Sequence, residues 1–104
     1  MASGDWRYLL RDKVVFITGA AGWIAGHIVK ACYEHGARVV IGDVNLDAAN
    51  KLKNDINEQH KTENGEDRLF VVLLDVTDEN SIKQAVKLTV EKWKTIDVLM
   101  NTYV

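Results

Sequence analysis

The sequence predicts an α/β fold in which a parallel sheet is covered by helices on both faces. Three observations predict it. Apolar runs alternate regularly with amphipathic stretches along the 104 residues. The runs are continuously apolar and rich in Val, Ile, Leu and Phe, as strands buried on both faces require. Successive runs are separated by helix-length segments, enough for the crossover that parallel strands need. Right-handed crossovers in the usual first-half topology then give the strand order 3-2-1-4.

Residues 1–12 read as an N-terminal arm and residues 13–104 as one domain. Lys13 to Thr18 (K-V-V-F-I-T) is the first strand and stops at a glycine. From Gly22 to His35, Ile24, Ile28, Ala31 and Cys32 recur at helical spacing, with Gly36 as a stop. Ala37 to Gly42 (A-R-V-V-I-G) is the second strand, closed by Asp43. A helix from Leu46 to His60 has the stripe Leu46, Ala49, Leu52 and Ile56, with Asn45 placed to cap it. The segment 61–67 (K-T-E-N-G-E-D) is a polar loop, and Glu66 and Asp67 in it read as solvated charges. Leu69 to Leu74 (L-F-V-V-L-L) is the third strand. Thr77 is expected to cap the helix from Asp78 to Trp93, whose stripe is Ile82, Ala85, Val86, Thr89 and Trp93. Asp97 to Asn101 (D-V-L-M-N) is the fourth strand, and the sequence ends shortly after it.

Composition removes several function classes. Thirteen basic residues against 15 acidic ones, a net charge of -2, with no basic stripe interleaved with aromatics, argue against nucleic acid as a partner. The lone cysteine, Cys32, excludes an internal disulfide and reads as a buried thiol. The start M-A-S-G-D-W-R-Y-L-L-R-D-K lacks a signal-peptide core, and Gly4 stands too far along for myristoylation. With no apolar stretch long enough to span a membrane, a cytoplasmic protein is the expectation. His27, His35 and His60 lack metal-ligand spacing, so no metal site is expected and helix-surface or capping roles are.

Residues 17–27, I-T-G-A-A-G-W-I-A-G-H, follow a strand and open a helix, the context in which a glycine loop holds a dinucleotide. Gly19 can turn as the chain leaves the strand, and Gly22 leaves room for a pyrophosphate against the backbone. The first N–H groups of the helix and its dipole favour an anion there. Ala25 and Gly26 are small where the helix nears the sheet. Alone, such a loop reads equally as an ordinary strand-to-helix turn. Asp43 at the end of the next strand tips the balance, because a carboxylate there accepts hydrogen bonds from ribose hydroxyls and repels a 2′-phosphate. Val44 follows it, and no Lys or Arg lies between Thr18 and Val29, so NAD is expected over NADP.

T-G-A-A-G-W-I-A-G resembles the cofactor loop of the short-chain dehydrogenase/reductase family. R-V-V-I-G-D, L-D-V-T-D-E-N-S-I and I-D-V-L-M-N resemble that family's later motifs, in the right order, between Lys13 and Asn101. The resemblance implies a Rossmann-like fold and a nicotinamide cofactor. It places Thr18, Gly19, Ala21, Gly22 and Ile24 around the diphosphate, Asp43 and Val44 at the adenosine ribose and adenine, and Asp75 and Val76 at the adenine edge and ring. Asn101 matches the first asparagine of the family's N-N-A-G strand end. The loop spacing is that of the family's extended branch, whereas the later motifs are similar to NAD-preferring members of its main branch. Trp23 reads either as a core residue on the first helical turn or as a side chain crowding the diphosphate. Lys94 stands where the family closes a helix with glycine.

The family's chemistry needs a serine and Y-x-x-x-K, and no tyrosine here is followed four residues later by lysine. The expectation is therefore the NAD-binding N-terminal half of a short-chain dehydrogenase, truncated after the fourth strand and not catalytic alone. Its parent reaction would be hydride transfer between NAD and an alcohol or ketone. The rival expectations are a nucleotide-binding or interaction module that pairs with a full-length relative through the exposed edge of strand four, and a truncated product without function.

Overall fold

The computed structural model describes residues 8–60 and 67–102. Most of the expected N-terminal arm, the loop 61–66 and residues 103–104 lie outside the described residues. The elements run β1 (Val14–Thr18), α1 (Trp23–Glu34), β2 (Arg38–Asp43), α2 (Leu46–Gln59), β3 (Leu69–Leu73), α3 (Glu79–Trp93) and β4 (Val98–Asn101). The sheet has the order β3-β2-β1-β4, as expected, and every pair is parallel. The register sets Thr18 beside Gly42 on one side and Asn101 on the other, so the carboxyl ends of these strands form one edge.

Alternate residues of β1, β2 and β3 feed two cores, whereas β4 is largely exposed and adds only the partly buried Met100. Val15, Ile17, Val39, Ile41 and Leu69 face α1 and α2, where Val29, Cys32, Ala49 and Ile56 close over them. Val14, Phe16, Val40, Val72 and Leu74 face α3, whose Ala85 and Trp93 cover them. Two faces buried in this way explain why the strands are continuously apolar.

The stripe expected on α1 is shifted. Ala25, Val29, Cys32 and Tyr33 are buried, whereas Ile24 and Ala31 are exposed. Ala25 takes the inward position at the start of α1 and Ile24 turns outward. The cap expected at Thr77 is also displaced. Asp78 Oδ1 accepts the Asn80 N–H (2.9 Å), while the Thr77 hydroxyl donates to Asp75 Oδ1 (2.6 Å). Helix α2 is capped as expected, with Asn45 Oδ1 accepting from Ala48 N–H (3.1 Å). At the amino edge of the sheet, Arg68 Nη1 donates to the carbonyls of Tyr33 (2.9 Å) and Ala37 (2.8 Å). Its guanidinium stacks 4.0 Å from the centre of the Tyr33 ring. Thus one cation joins the end of α1 and the starts of β2 and β3.

Candidate cofactor site

The loop between β1 and α1 is shaped by backbone geometry. Gly19 adopts φ 65°, a left-handed conformation that L-residues with a Cβ rarely take. Three successive amides are then consumed within the protein. Ala20 N–H donates to the Gly42 carbonyl (3.1 Å) and Gly22 N–H to the Gly19 carbonyl (3.1 Å). Between them, Ala21 N–H donates to Asp43 Oδ2 (3.0 Å).

The helix that follows starts differently from the other two. Gly22 is its N-cap and offers no side-chain acceptor, and its first turn carries no acidic residue. Gly26 N–H, bonded to the Gly22 carbonyl (2.8 Å), makes the first helical hydrogen bond. The N–H groups of Trp23, Ile24 and Ala25 precede it, and the positive end of the helix dipole lies with them. A Cβ built on Gly22 would meet only the Gly19 carbonyl oxygen, at 3.4 Å. The fold itself therefore does not demand glycine there; it leaves a space beside the backbone. The expectation for Gly26 is different: a Cβ there would stand 3.6 Å from Leu52 Cδ1, an ordinary contact, so close packing does not require that glycine.

Asp43 ends β2 and is only 8% exposed. Besides Ala21, its carboxylate accepts the Asn45 N–H at Oδ1 (2.9 Å). A carboxylate has about four lone-pair sites, so two accepted bonds leave capacity for the two hydroxyls of a ribose. Val44, next to it, is exposed. Leu74 N–H donates to the Asp43 carbonyl (3.1 Å), which brings the segment containing Asp75 and Val76 alongside. Asp75 Oδ1 accepts from both the hydroxyl and the N–H of Thr77, and these bonds hold its carboxyl below the ordinary range, the hydroxyl contributing most. Asp75 N–H donates to Ser81 Oγ (2.9 Å), fixing this turn to α3. Val76 is half-buried and packs on the α3-side core.

Thr18 is buried, and its hydroxyl donates to Asn101 Oδ1 (2.8 Å) while accepting the Thr102 N–H (3.3 Å). The Thr102 hydroxyl donates to the Thr18 carbonyl. This pair ties the ends of β1 and β4 together; Thr18 and Asn101 support the edge from below.

The structure thus gathers all ten expected residues at the carboxyl edge of the sheet, the place where open α/β sheets take ligands. It gives them unequal parts. Ile24 and Trp23 stand outward at the start of α1, at 70% and 81% exposure, which removes Trp23 from the core. Its indole lies edge-on to His27, with centroids 4.8 Å apart. The residues missed from sequence are Asn45, through its backbone N–H, and Thr77 and Ser81. The D-x-N and D-x-T spacings signal such side-chain turns. Cys32 is buried as expected, and burial pushes its thiol up. Among the described residues no cluster of His, Cys, Asp or Glu suits a metal ion, and no helix is long and apolar enough to cross a membrane.

The model of the short chain dehydrogenase family matches residues 13–102. Short-chain dehydrogenase reductase 3b of Arabidopsis thaliana is 39% identical over 92 residues, which are 88% of this chain and 33% of that protein. Trans-4-hydroxycyclohexanecarboxylate dehydrogenase of Sinomonas cyclohexanicum is 40% identical over 90 residues, 86% of this chain and 35% of that one. The chain therefore spans about a third of the length of these relatives. Among solved structures, the hydroxysteroid dehydrogenase from Escherichia coli superposes with a TM-score of 0.81 at 28% identity, covering 94% of this chain and 39% of that one. The C-domain of a bacterial malonyl-CoA reductase, solved with NADP, shares the fold with a TM-score of 0.88 at 24% identity, covering 95% of this chain and 16% of that one. The chain belongs to the short-chain dehydrogenase family, whose members bind a nicotinamide dinucleotide.

Proposed function

We propose that this chain binds the adenosine and diphosphate of NAD, and that it does so as the N-terminal part of a short-chain dehydrogenase. The observation that carries the reading is the space beside Gly22, which a Cβ would enter without touching the rest of the fold except at 3.4 Å from one carbonyl. That space lies at the uncapped start of α1, whose first-turn N–H groups suit a diphosphate. Asp43, at the ribose position, favours NAD, since a 2′-phosphate would meet a nearly buried carboxylate. NAD supplies a hydride acceptor; the residues here bind and orient it.

Calorimetric titration of the purified chain with NAD and NADP tests this. NAD is expected to bind more tightly than NADP, and Gly22→Ala to weaken NAD by about tenfold or more while leaving thermal unfolding within a few degrees. Equal affinity for NADP removes the NAD preference, and no affinity for either removes the reading. Hydride transfer between NAD and an alcohol or ketone is proposed for a protein of the relatives' full length. The 104 residues contain no Y-x-x-x-K, so this chain alone is expected not to turn over. NAD-linked alcohol oxidation by the purified chain would overturn that. A cytoplasmic, reducing location fits the single free cysteine and is checked by cell fractionation.

A second reading, a module that pairs with another chain through β4, is favoured by Leu99, which is 67% exposed on the α3 face of the outermost strand. Exposed apolar strands at a sheet edge invite pairing. Co-purification with a full-length relative, lost in Leu99→Lys, supports it; a monomer at all concentrations that captures no relative removes it.

A further inference from the structure

We propose that Asp43 is a positioning residue that holds the phosphate loop in its binding shape before any cofactor arrives, in addition to facing the ribose. One carboxylate, nearly buried, joins two connections. Oδ2 takes the Ala21 N–H from the β1–α1 loop and Oδ1 takes the Asn45 N–H from the β2–α2 connection. The flanking backbone completes the clamp: the Gly42 carbonyl accepts from Ala20, and the Asp43 carbonyl accepts from Leu74. Three of the strand ends at this edge therefore meet at residues 42 and 43.

The direction of Ala21 is the decisive feature. In a loop shaped by the diphosphate, its amide would be available to the anion. Here it points to a carboxylate at 3.0 Å, so the anion is left to the first turn of α1 and the loop needs no ligand to keep its turn. Hydrogen bonds to an ionised acceptor are the stronger kind, and a buried N–H that loses its acceptor is costly. Removing the carboxylate should therefore do two things at once: lift the repulsion against a 2′-phosphate and loosen the loop that would bind either cofactor. The cofactor consequence rests on the reading proposed above; the clamp itself does not.

Amide hydrogen exchange by NMR on the ligand-free chain tests it. The Ala21 and Asn45 amides are expected to be protected in the wild type and to exchange about tenfold faster or more in Asp43→Ser, with Val39 and Ile41 unchanged. In Asp43→Asn, which keeps one acceptor oxygen, one of the two amides is expected to remain slow. An unprotected Ala21 amide in the wild type, or no change in Asp43→Ser, overturns the proposal. Should Asp43→Ser fail to fold, Asp43→Asn decides: faster exchange at one of the two amides supports the clamp, and both amides as slow as in the wild type overturn it. Titration with both cofactors gives a separate readout. Asp43→Ser is expected to lose NAD affinity without an equal gain for NADP; NADP binding raised to the wild-type NAD level overturns the clamp. Absence of NAD binding with a protected Ala21 amide removes the cofactor reading and leaves the clamp standing. NAD binding with an unprotected Ala21 amide does the reverse.

Discussion

At Gly42 a single hydrogen atom decides whether the sheet edge closes. A Cβ there would stand 2.9 Å from Leu74 Cδ2 and 3.3 Å from the Ile17 carbonyl oxygen. The leucine tip can move, but the β1 backbone cannot without disturbing the ladder. Gly42→Ala is expected to cost about 1–3 kcal/mol in chemical denaturation, with an unchanged denaturant slope. Thr77 acts on charge. Its hydroxyl is the main reason the Asp75 carboxyl sits below the usual range. A depressed carboxyl contributes stability above its unfolded-state range and loses it as pH falls through the folded value. Thr77→Val should therefore raise the Asp75 midpoint in an NMR titration, shrink that contribution and complete its loss at a higher pH. A midpoint that stays put would assign the effect to the Thr77 backbone alone. At this scale the sequence is legible wherever residue type alone implies a role. Gly19 and Asp43 are marked by context and type. The partner of Asp43 is not legible, because the Ala21 N–H is a backbone group that every non-proline residue carries.

Among the elements, the strands are readable to within a residue at each end: β1 and β2, buried on both faces, are unbroken apolar runs, whereas β4 is marked by V-L-M although it is largely exposed. The helices were readable in extent but less so in facing. On α2 the expected stripe holds at Ala49 and Ile56, which are buried, and in part at Leu52, while Leu46 at the first helical position is exposed; Asn45 is the cap. On α1 the apolar Ile24 faces outward, and the smaller Ala25 takes the inward position. On α3 two neighbouring hydroxyl- and carboxylate-bearing residues compete to cap, and Asp78 wins while Thr77 closes the turn before it. The other end of α3 carries a local cost. Lys94 closes the helix with φ 72°, left-handed, and its N–H bonds the Val90 carbonyl (2.8 Å). Lys94→Gly keeps that bond and relieves the strain, so a gain of about 1 kcal/mol in thermal or denaturant unfolding is expected. A neutral or lower stability would show that the Lys94 side chain, whose Nζ donates to the Glu91 carbonyl (3.2 Å), offsets the strain.

For the molecule as a whole, the order of the strands follows from element alternation and handedness. The buried thiol gives a global measure of the fold. Cys32 is 7% exposed on the inner face of α1, and burial favours its neutral form. Its contribution is whole below the unfolded thiol range and is lost as pH rises through the folded value. Alkylation by iodoacetamide at neutral pH is therefore expected to be slow and to accelerate along the same denaturant curve as unfolding; fast labelling under native conditions would show that α1 opens locally. The Arg68 contacts carry a consequence for handling the molecule. They seal the amino edge with a positive group that occupies two carbonyls, opposite the negative group that organises the carboxyl edge. Helix α2 ends and β3 begins at that sealed end. A fluorophore or tether attached at the side chain of Asp67, replaced by cysteine in a variant without Cys32, would thus sit at the end of the sheet opposite the glycine loop and hold the protein with its carboxyl edge facing solution.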